Sequence, residues 1–246
     1  MRLYLSKSEF IETSEAIDLS MPLQASSENV RAWYVDPPRM EIVRANGFIG
    51  SIQEGGSVNF RDVFFNPHGH GTHTECCGHI TNEVYAVNDV LKEYFYKATL
   101  ITVDPVQLEN GDFVVQSAQI APFLQLEFSE ALIIRTLPNG KDKKTLNYSG
   151  TNPCYFDVAL VELLNEYHVK HFLVDQPSVD REEDGGALVF HHAFWNVPEK
   201  PNFERTITEL IYVPNEVSDG TYVLEIQMAA FKNDASPSRP VLYKIQ

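Results

Sequence analysis

The chain has 246 residues, 43% of them hydrophobic and 11% aromatic, enough apolar material for one compact domain over residues 1–246. Its 34 acidic against 19 basic side chains give a formal net charge of −15, a field that repels phosphate backbones and anionic lipid surfaces, which excludes nucleic acid and membranes as expected partners. The opening MRLYLSKSEFIETSEAIDLS has neither the apolar core of a signal peptide nor a run of about 18 apolar residues, so a cytoplasmic location is expected.

In chain order, runs rich in β-branched and aromatic residues predict strands at 57–65, 97–104, 131–136, 171–176 and 221–231. A helix is predicted over 86–96, with Val90, Leu91 and Phe95 inward. A second is predicted from Asn152 as N-cap through Pro153 to about His168, because Phe156, Leu160, Leu163, Leu164 and Tyr167 recur at three- and four-residue spacing. The class is therefore α+β, a mixed sheet or small barrel with flanking helices. Cys76 and Cys77 are adjacent and Cys154 is alone, a pattern that favours reduced packing thiols over a disulfide.

Between the first two strands lies NPHGHGTHTECCGHI, residues 66–80, with four histidines and a glutamate among three glycines. His73 and Glu75 are two apart, so extended backbone points both to one face, where they can meet one ion. His68 or His70 can join them if the glycines bend the chain inward. A set of imidazoles and a carboxylate suits Zn²⁺, Mn²⁺ or Fe²⁺, with Zn²⁺ favoured. His79, past Gly78, is placed to act across the same pocket as a general base. Thr72 is read as satisfying backbone groups of the turn. Asp175, Ser178, Asp180 and Asp184 follow a buried strand, where caps and partners of metal-binding side chains are expected.

The segment GHGTHTECCGH resembles the H-x-G-T-H-x-D-x-P-x-H signature of the cyclase family, whose members include bacterial kynurenine formamidases and isatin hydrolase. IDLSMPL, Trp33 in RAWYVDPP, LVDQPSVD, FHHAFW and the C-terminal series ending DASPSRPVLY resemble further family segments in the same order. The resemblance implies a swivelling β/β/α fold and a dimer or tetramer. It also implies two divalent ions, usually zinc, sometimes a single manganese. It assigns His73, Glu75, Glu209 and one of His191 and His192, with His192 preferred, as metal ligands. His79 would be the catalytic general acid and base, and Trp33 a substrate contact. The family's first histidine falls on Gly69 here, so His68 is preferred over His70 for that role, and Glu75 stands where the family has aspartate. The implied reaction is hydrolysis of N-formyl-L-kynurenine or a similar aryl amide by a metal-activated water. A cyclic amide or lactone is the alternative substrate, and a non-catalytic metal-binding or small-molecule-binding protein the alternative class. An aromatic substrate would stack on Trp33, with Phe64, Phe65 and Trp195 as further candidates.

Overall fold

The structure, a computed structural model, describes residues 1–124 and 129–246. Its centre is a set of eight strands: β1 Ile17–Asp18, β2 His73–Glu75, β3 Phe95–Val103, β4 Ala131–Thr136, β5 His171–Val174, β6 Thr206–Glu209, β7 Gly220–Met228 and β8 Ala235–Lys244. Their order is β7-β3-β4-β5-β6-β2-β8-β1. Because β8 also pairs with β7, the sheet closes into a seven-strand barrel with β1 added on the outside. Strands β3 to β6 run parallel, and β2, β7 and β8 pair antiparallel.

The parallel strands are near-continuous apolar runs because both of their faces are covered. Alternate residues serve two cores. Ile101, Leu132, Ile134, Phe172 and Val174 pack outward beneath helices, whereas Leu100, Ile133 and Leu173 point into the barrel with Leu224, Ile226 and Leu242. The crossovers carry α2 Ser117–Leu124, α3 Leu160–Glu166 and α4 Val189–Trp195, while the short α1 Val87–Val90 precedes β3. In α4, Phe190 and Phe194 lie four apart, so both fall on the face that meets Phe172, whose ring stacks on Phe190 at 5.6 Å.

Several sequence expectations are corrected. The helix expected from Asn152 starts at Leu160, because Asn152 adopts a left-handed φ of 47° and gives its amide to Asp112. Tyr155–Phe156 is instead a short strand, and Asp157 accepts the Ala159 N–H to start the turn. Of the helix expected over 86–96 only Val87–Val90 forms. Leu91 is buried as expected, but Phe95 is exposed and opens β3. The strand expected at 57–65 shrinks to Arg61–Phe64, an exposed partner of Arg39–Ile42 outside the barrel. The other four predicted strands appear as β3, β4, β5 and β7. Among the described residues, no helix is long and apolar enough to cross a membrane. All three cysteines are free, with Cys76 and Cys77 fully buried.

Candidate metal centre

Strand β2 sits between β6 and β8, and this register assembles the site. His73 lies opposite Glu209 on β6, and Glu75 lies opposite Ala235 on β8. His73 and Glu75 share one face of β2. The other face sends Thr74 to the hydroxyls of Thr208 and Ser238, each at 2.8 Å. The cross-strand pairing brings His73 Nε2 to 3.3 Å from Glu209 Oε2. Glu209, which only the family resemblance separates in sequence from the exposed Glu204, is thus set apart by its partner strand.

His73 Nδ1 donates to the Gly71 carbonyl at 3.0 Å, which leaves Nε2 as the bare nitrogen. Gly71 makes this turn at a φ of 94°, a left-handed conformation that favours glycine. Thr72 accepts the Met21 N–H at 2.8 Å and donates to the Leu210 carbonyl, the backbone role expected of it.

The two histidines flanking Gly69 separate cleanly. His68 Nδ1 faces Glu75 Oε2 at 3.0 Å, and its Nε2 meets Asp234 Oδ2 at 2.8 Å. His70 accepts the Asn66 N–H at 2.8 Å and donates to the Asp36 carbonyl at 2.7 Å, so both of its nitrogens are spent on the loop. Position 69 has no room for a side chain, because a Cβ there would lie 2.9 Å from Val35. The imidazole that faces Glu75 is therefore one residue before the position where the resemblance expects a histidine.

The structure brings His191, not His192, to the cluster, and it does so from a helix rather than a strand. His191 Nε2 lies 3.1 Å from Glu75 Oε1 and 3.9 Å from Glu209 Oε1. His192, about 100° further around α4, binds the Val197 carbonyl instead. Asp180 fixes the helix entry: its carboxylate accepts the backbone N–H groups of Phe190 and His191 and takes His191 Nδ1 at 2.6 Å. Trp195 is buried behind His191 with its indole N–H on the Arg205 carbonyl. It backs the site and does not line the cavity beside it. Phe64 is an exposed residue of the outer hairpin and Phe65 packs on Phe231, and neither lines that cavity either. Asp184 caps the loop before α4, Ser178 accepts the Asp180 N–H, and Asp175 is tied to Thr136 and Lys143 away from the cluster.

Two donor sets emerge with mutually close ligand atoms. One is His73, Glu75 and Glu209, all buried; the other is His68, Glu75 and His79, and Glu75 belongs to both. His73 Nε2 and Glu75 Oε2 are both buried without a hydrogen-bond partner, Glu75 Oε2 being near His68 but out of hydrogen-bond alignment. An orphaned buried acceptor costs about 1–3 kcal/mol, so two on one face fit a divalent cation as their partner.

The protonation pattern agrees. Burial disfavours a charged His191, but Asp180 and Glu75 outweigh it and raise its pKa to about 10. His68, also opposed by burial, is raised to about 10 by Asp234 and Glu75. Burial pushes Glu75 up, yet the neighbouring imidazoles hold it well below its ordinary value; Asp180 and Asp234 are likewise lowered against burial. Without metal, then, imidazolium protons neutralise the carboxylates. A cation would displace those protons.

Beside the cluster opens a cavity of about 300 Å³, lined by Trp33, His68, His79, Ser178, Leu188 and Glu209 among others. Trp33 and His79 face it, where sequence placed substrate and proton carrier. Asp234 opens the DASPSRPVLY segment quoted for its resemblance, but the segment alone assigns it no role, since its partner His68 lies 166 residues away.

No curated protein matches the chain significantly. Among solved structures it is similar to isatin hydrolase A from Ralstonia solanacearum, at 14% identity and a TM-score of 0.67 over 93% of this chain and 91% of that one. Isatin hydrolase A from Labrenzia aggregata, bound to benzyl benzoate, is 14% identical, with a TM-score of 0.65 over 93% of each chain. A predicted metal-dependent hydrolase from Bacillus stearothermophilus is 13% identical, with a TM-score of 0.62 over 93% of this chain and 98% of the other. At such identities the likeness is one of fold. The family model described as "Putative cyclase" matches residues 17–181, which hold the histidine segment and Asp180. The chain belongs to the cyclase family.

Proposed function

We propose that this protein is a metal-dependent hydrolase of an aryl amide of the N-formyl-L-kynurenine type. The observation that carries the reading is the pair of orphaned buried acceptors, His73 Nε2 and Glu75 Oε2, within a converging set of histidines and carboxylates. His73, Glu75 and Glu209 would hold one divalent ion, and His68 and His191 stand ready to complete a second position that shares Glu75. Zinc is the preferred ion and manganese the alternative, since both accept mixed imidazole and carboxylate donors. When bound, a divalent ion supplies Lewis-acid activation of water and of the substrate carbonyl.

The chain's own residues do the rest. Trp33 offers an aromatic wall to the substrate ring. His79 takes the proton that the attacking water loses and returns it to the departing nitrogen, so that the new C–O bond replaces the C–N bond with no net proton change. The narrow, partly buried pocket favours a flat substrate.

The isatin hydrolase likeness favours one second reading, the opening of a cyclic amide. The two are separated by parallel assays of N-formyl-L-kynurenine and isatin on protein of measured metal content, before and after chelation. Turnover of the formamide that disappears with the chelator and returns with zinc supports the first reading. Turnover of isatin alone moves the assignment to the second, and a metal-saturated protein inactive on both overturns hydrolysis of this type.

A further inference from the structure

Besides Asp180 behind His191, the carboxylate of Asp234 adjoins the cluster without belonging to either donor set. Asp234 Oδ2 lies 2.8 Å from His68 Nε2 and 3.3 Å from His79 Nδ1, and the two imidazole rings stack at 4.1 Å with an interplanar angle of 28°. The backbone holds this arrangement in register. The Asp234 carbonyl accepts the Cys76 N–H at 3.0 Å, while the Cys76 carbonyl accepts the His79 N–H at the same distance. Asp234 and His79 therefore hang from opposite sides of one fully buried residue. Asn233 is tied in turn to the Val87 N–H, and Ala235 pairs with Glu75.

An ionised carboxylate only accepts hydrogen bonds, so a neutral ring turns its N–H to a facing carboxylate unless a carbonyl already takes that proton on the other nitrogen, as Gly71 does at His73. In the neutral His79 ring this leaves Nε2 without the proton. In neutral His68, once a cation has displaced the imidazolium proton, it leaves Nδ1, the nitrogen turned to Glu75, as the donor.

We propose that Asp234 is a positioning residue that holds His79 in the Nδ1–H tautomer and, through the same oxygen, aims His68 Nδ1 at the metal position. The proposal rests on the reading of His79 as proton carrier. During hydrolysis His79 Nε2 accepts the proton of the attacking water, the ring becomes cationic beside Asp234, and Nε2 then passes that proton to the leaving nitrogen as the C–N bond breaks. Asp234 stays ionised throughout. Replacing it with asparagine presents an amide that can donate to Nδ1 and so stabilise the opposite tautomer, an effect worth up to about 10⁴-fold in kcat in the serine protease triad.

The test uses full-length protein loaded with zinc, in the forms Asp234→Asn, Asp234→Glu and His79→Ala, with metal content measured on each. For Asp234→Asn we expect kcat per bound metal on N-formyl-L-kynurenine to fall by about 10²-fold or more with KM changed little, because only the proton carrier is misaligned. Asp234→Glu, which keeps the acceptor, recovers part of the loss. A readout independent of turnover is the ¹⁵N-resolved imidazole spectrum of the zinc-loaded protein, in which His79 carries its proton on Nδ1 and loses that preference in Asp234→Asn. Wild-type kcat in Asp234→Asn beside an inactive His79→Ala overturns the role of Asp234 while leaving that of His79 intact. Full turnover in His79→Ala, or loss of bound metal in that variant, overturns the reading of His79 and with it this proposal. A His79 proton on Nε2 in the unaltered protein overturns it directly.

Discussion

The two halves of the site use the same chemistry in different surroundings. In the inner half His191 lies between Asp180 and Glu75; in the outer half His68 lies between Asp234 and Glu75. The inner side chains, including His73 and Glu209, are at most 4% exposed, whereas His68, Asp234 and His79 are 19%, 24% and 30% exposed. Burial makes an unfilled acceptor costly and a fixed tautomer permanent, which suits a resident ion. Partial exposure leaves room for a substrate to arrive and for a ring to exchange a proton. On the proposed function, the buried inner set would hold metal, and the more exposed His79–Asp234 pair would work on the substrate.

The largest expected effect breaks the comparison at the residue both halves share. In Glu75→Gln the bridging carboxylate is lost while its shape is kept. Affinity at both metal positions should fall by more than the roughly 10- to 100-fold that loss of a ligand's supporting partner costs, and turnover should fall with it. Metal content by mass spectrometry after dialysis checks this. Retention of one full ion would show that one donor set holds its ion without Glu75, and retention of two that neither needs it.

A second prediction reads the halves through pH. His68 and His191, ordinarily near 6.5, are raised to about 10 in the metal-free protein. Between these values the folded state holds protons that the unfolded chain has lost. The stability they contribute is therefore complete below about pH 6.5 and disappears as pH rises through about 10. Thermal melts of chelator-treated protein should show Tm falling across that window. Metal-loaded protein should fall less, because metal has replaced the same protons and binds more tightly as pH rises. A Tm independent of pH from 6 to 10 in the metal-free protein would count against both imidazolium assignments.

How much of this could be read from the chain depended on the range of the interaction. His73 and Glu75 were legible because two-residue spacing on a strand fixes a common face, and four barrel strands were legible because their apolar runs are long. His68 over His70 could be inferred only as a preference, since the deciding fact is the wall that Val35 puts against position 69. Which of His191 and His192 turns to the cluster is set by α4, whose four-residue spacing is carried by Phe190 with Phe194 and His191 with Trp195. The Asn152 helix failed because Asp112, distant in sequence, takes the side chain that should have capped it. Asp234 stood in a family-like segment without a role for the same reason on a larger scale: only the pairing of β8 with β2 brings it to His68 and His79.

The smallest effects belong to the two histidines that the structure leaves outside the cluster, and they sharpen the boundary of the site. His70 makes two hydrogen bonds that tie its loop, so His70→Ala frees the Asn66 N–H and the Asp36 carbonyl and should cost about 1–3 kcal/mol. Its effect on metal should be slight, because neither nitrogen faces the donors. His192 is half-buried with a single bond to the Val197 carbonyl, so His192→Ala should cost about 1 kcal/mol or less, with metal content and kcat unchanged. Denaturant midpoints and metal analysis on the two variants order them. Were His192→Ala to lose its metal while His191→Ala kept it, the helix would be turned by one residue from the orientation described, and the inner half would have to be rebuilt around the other histidine.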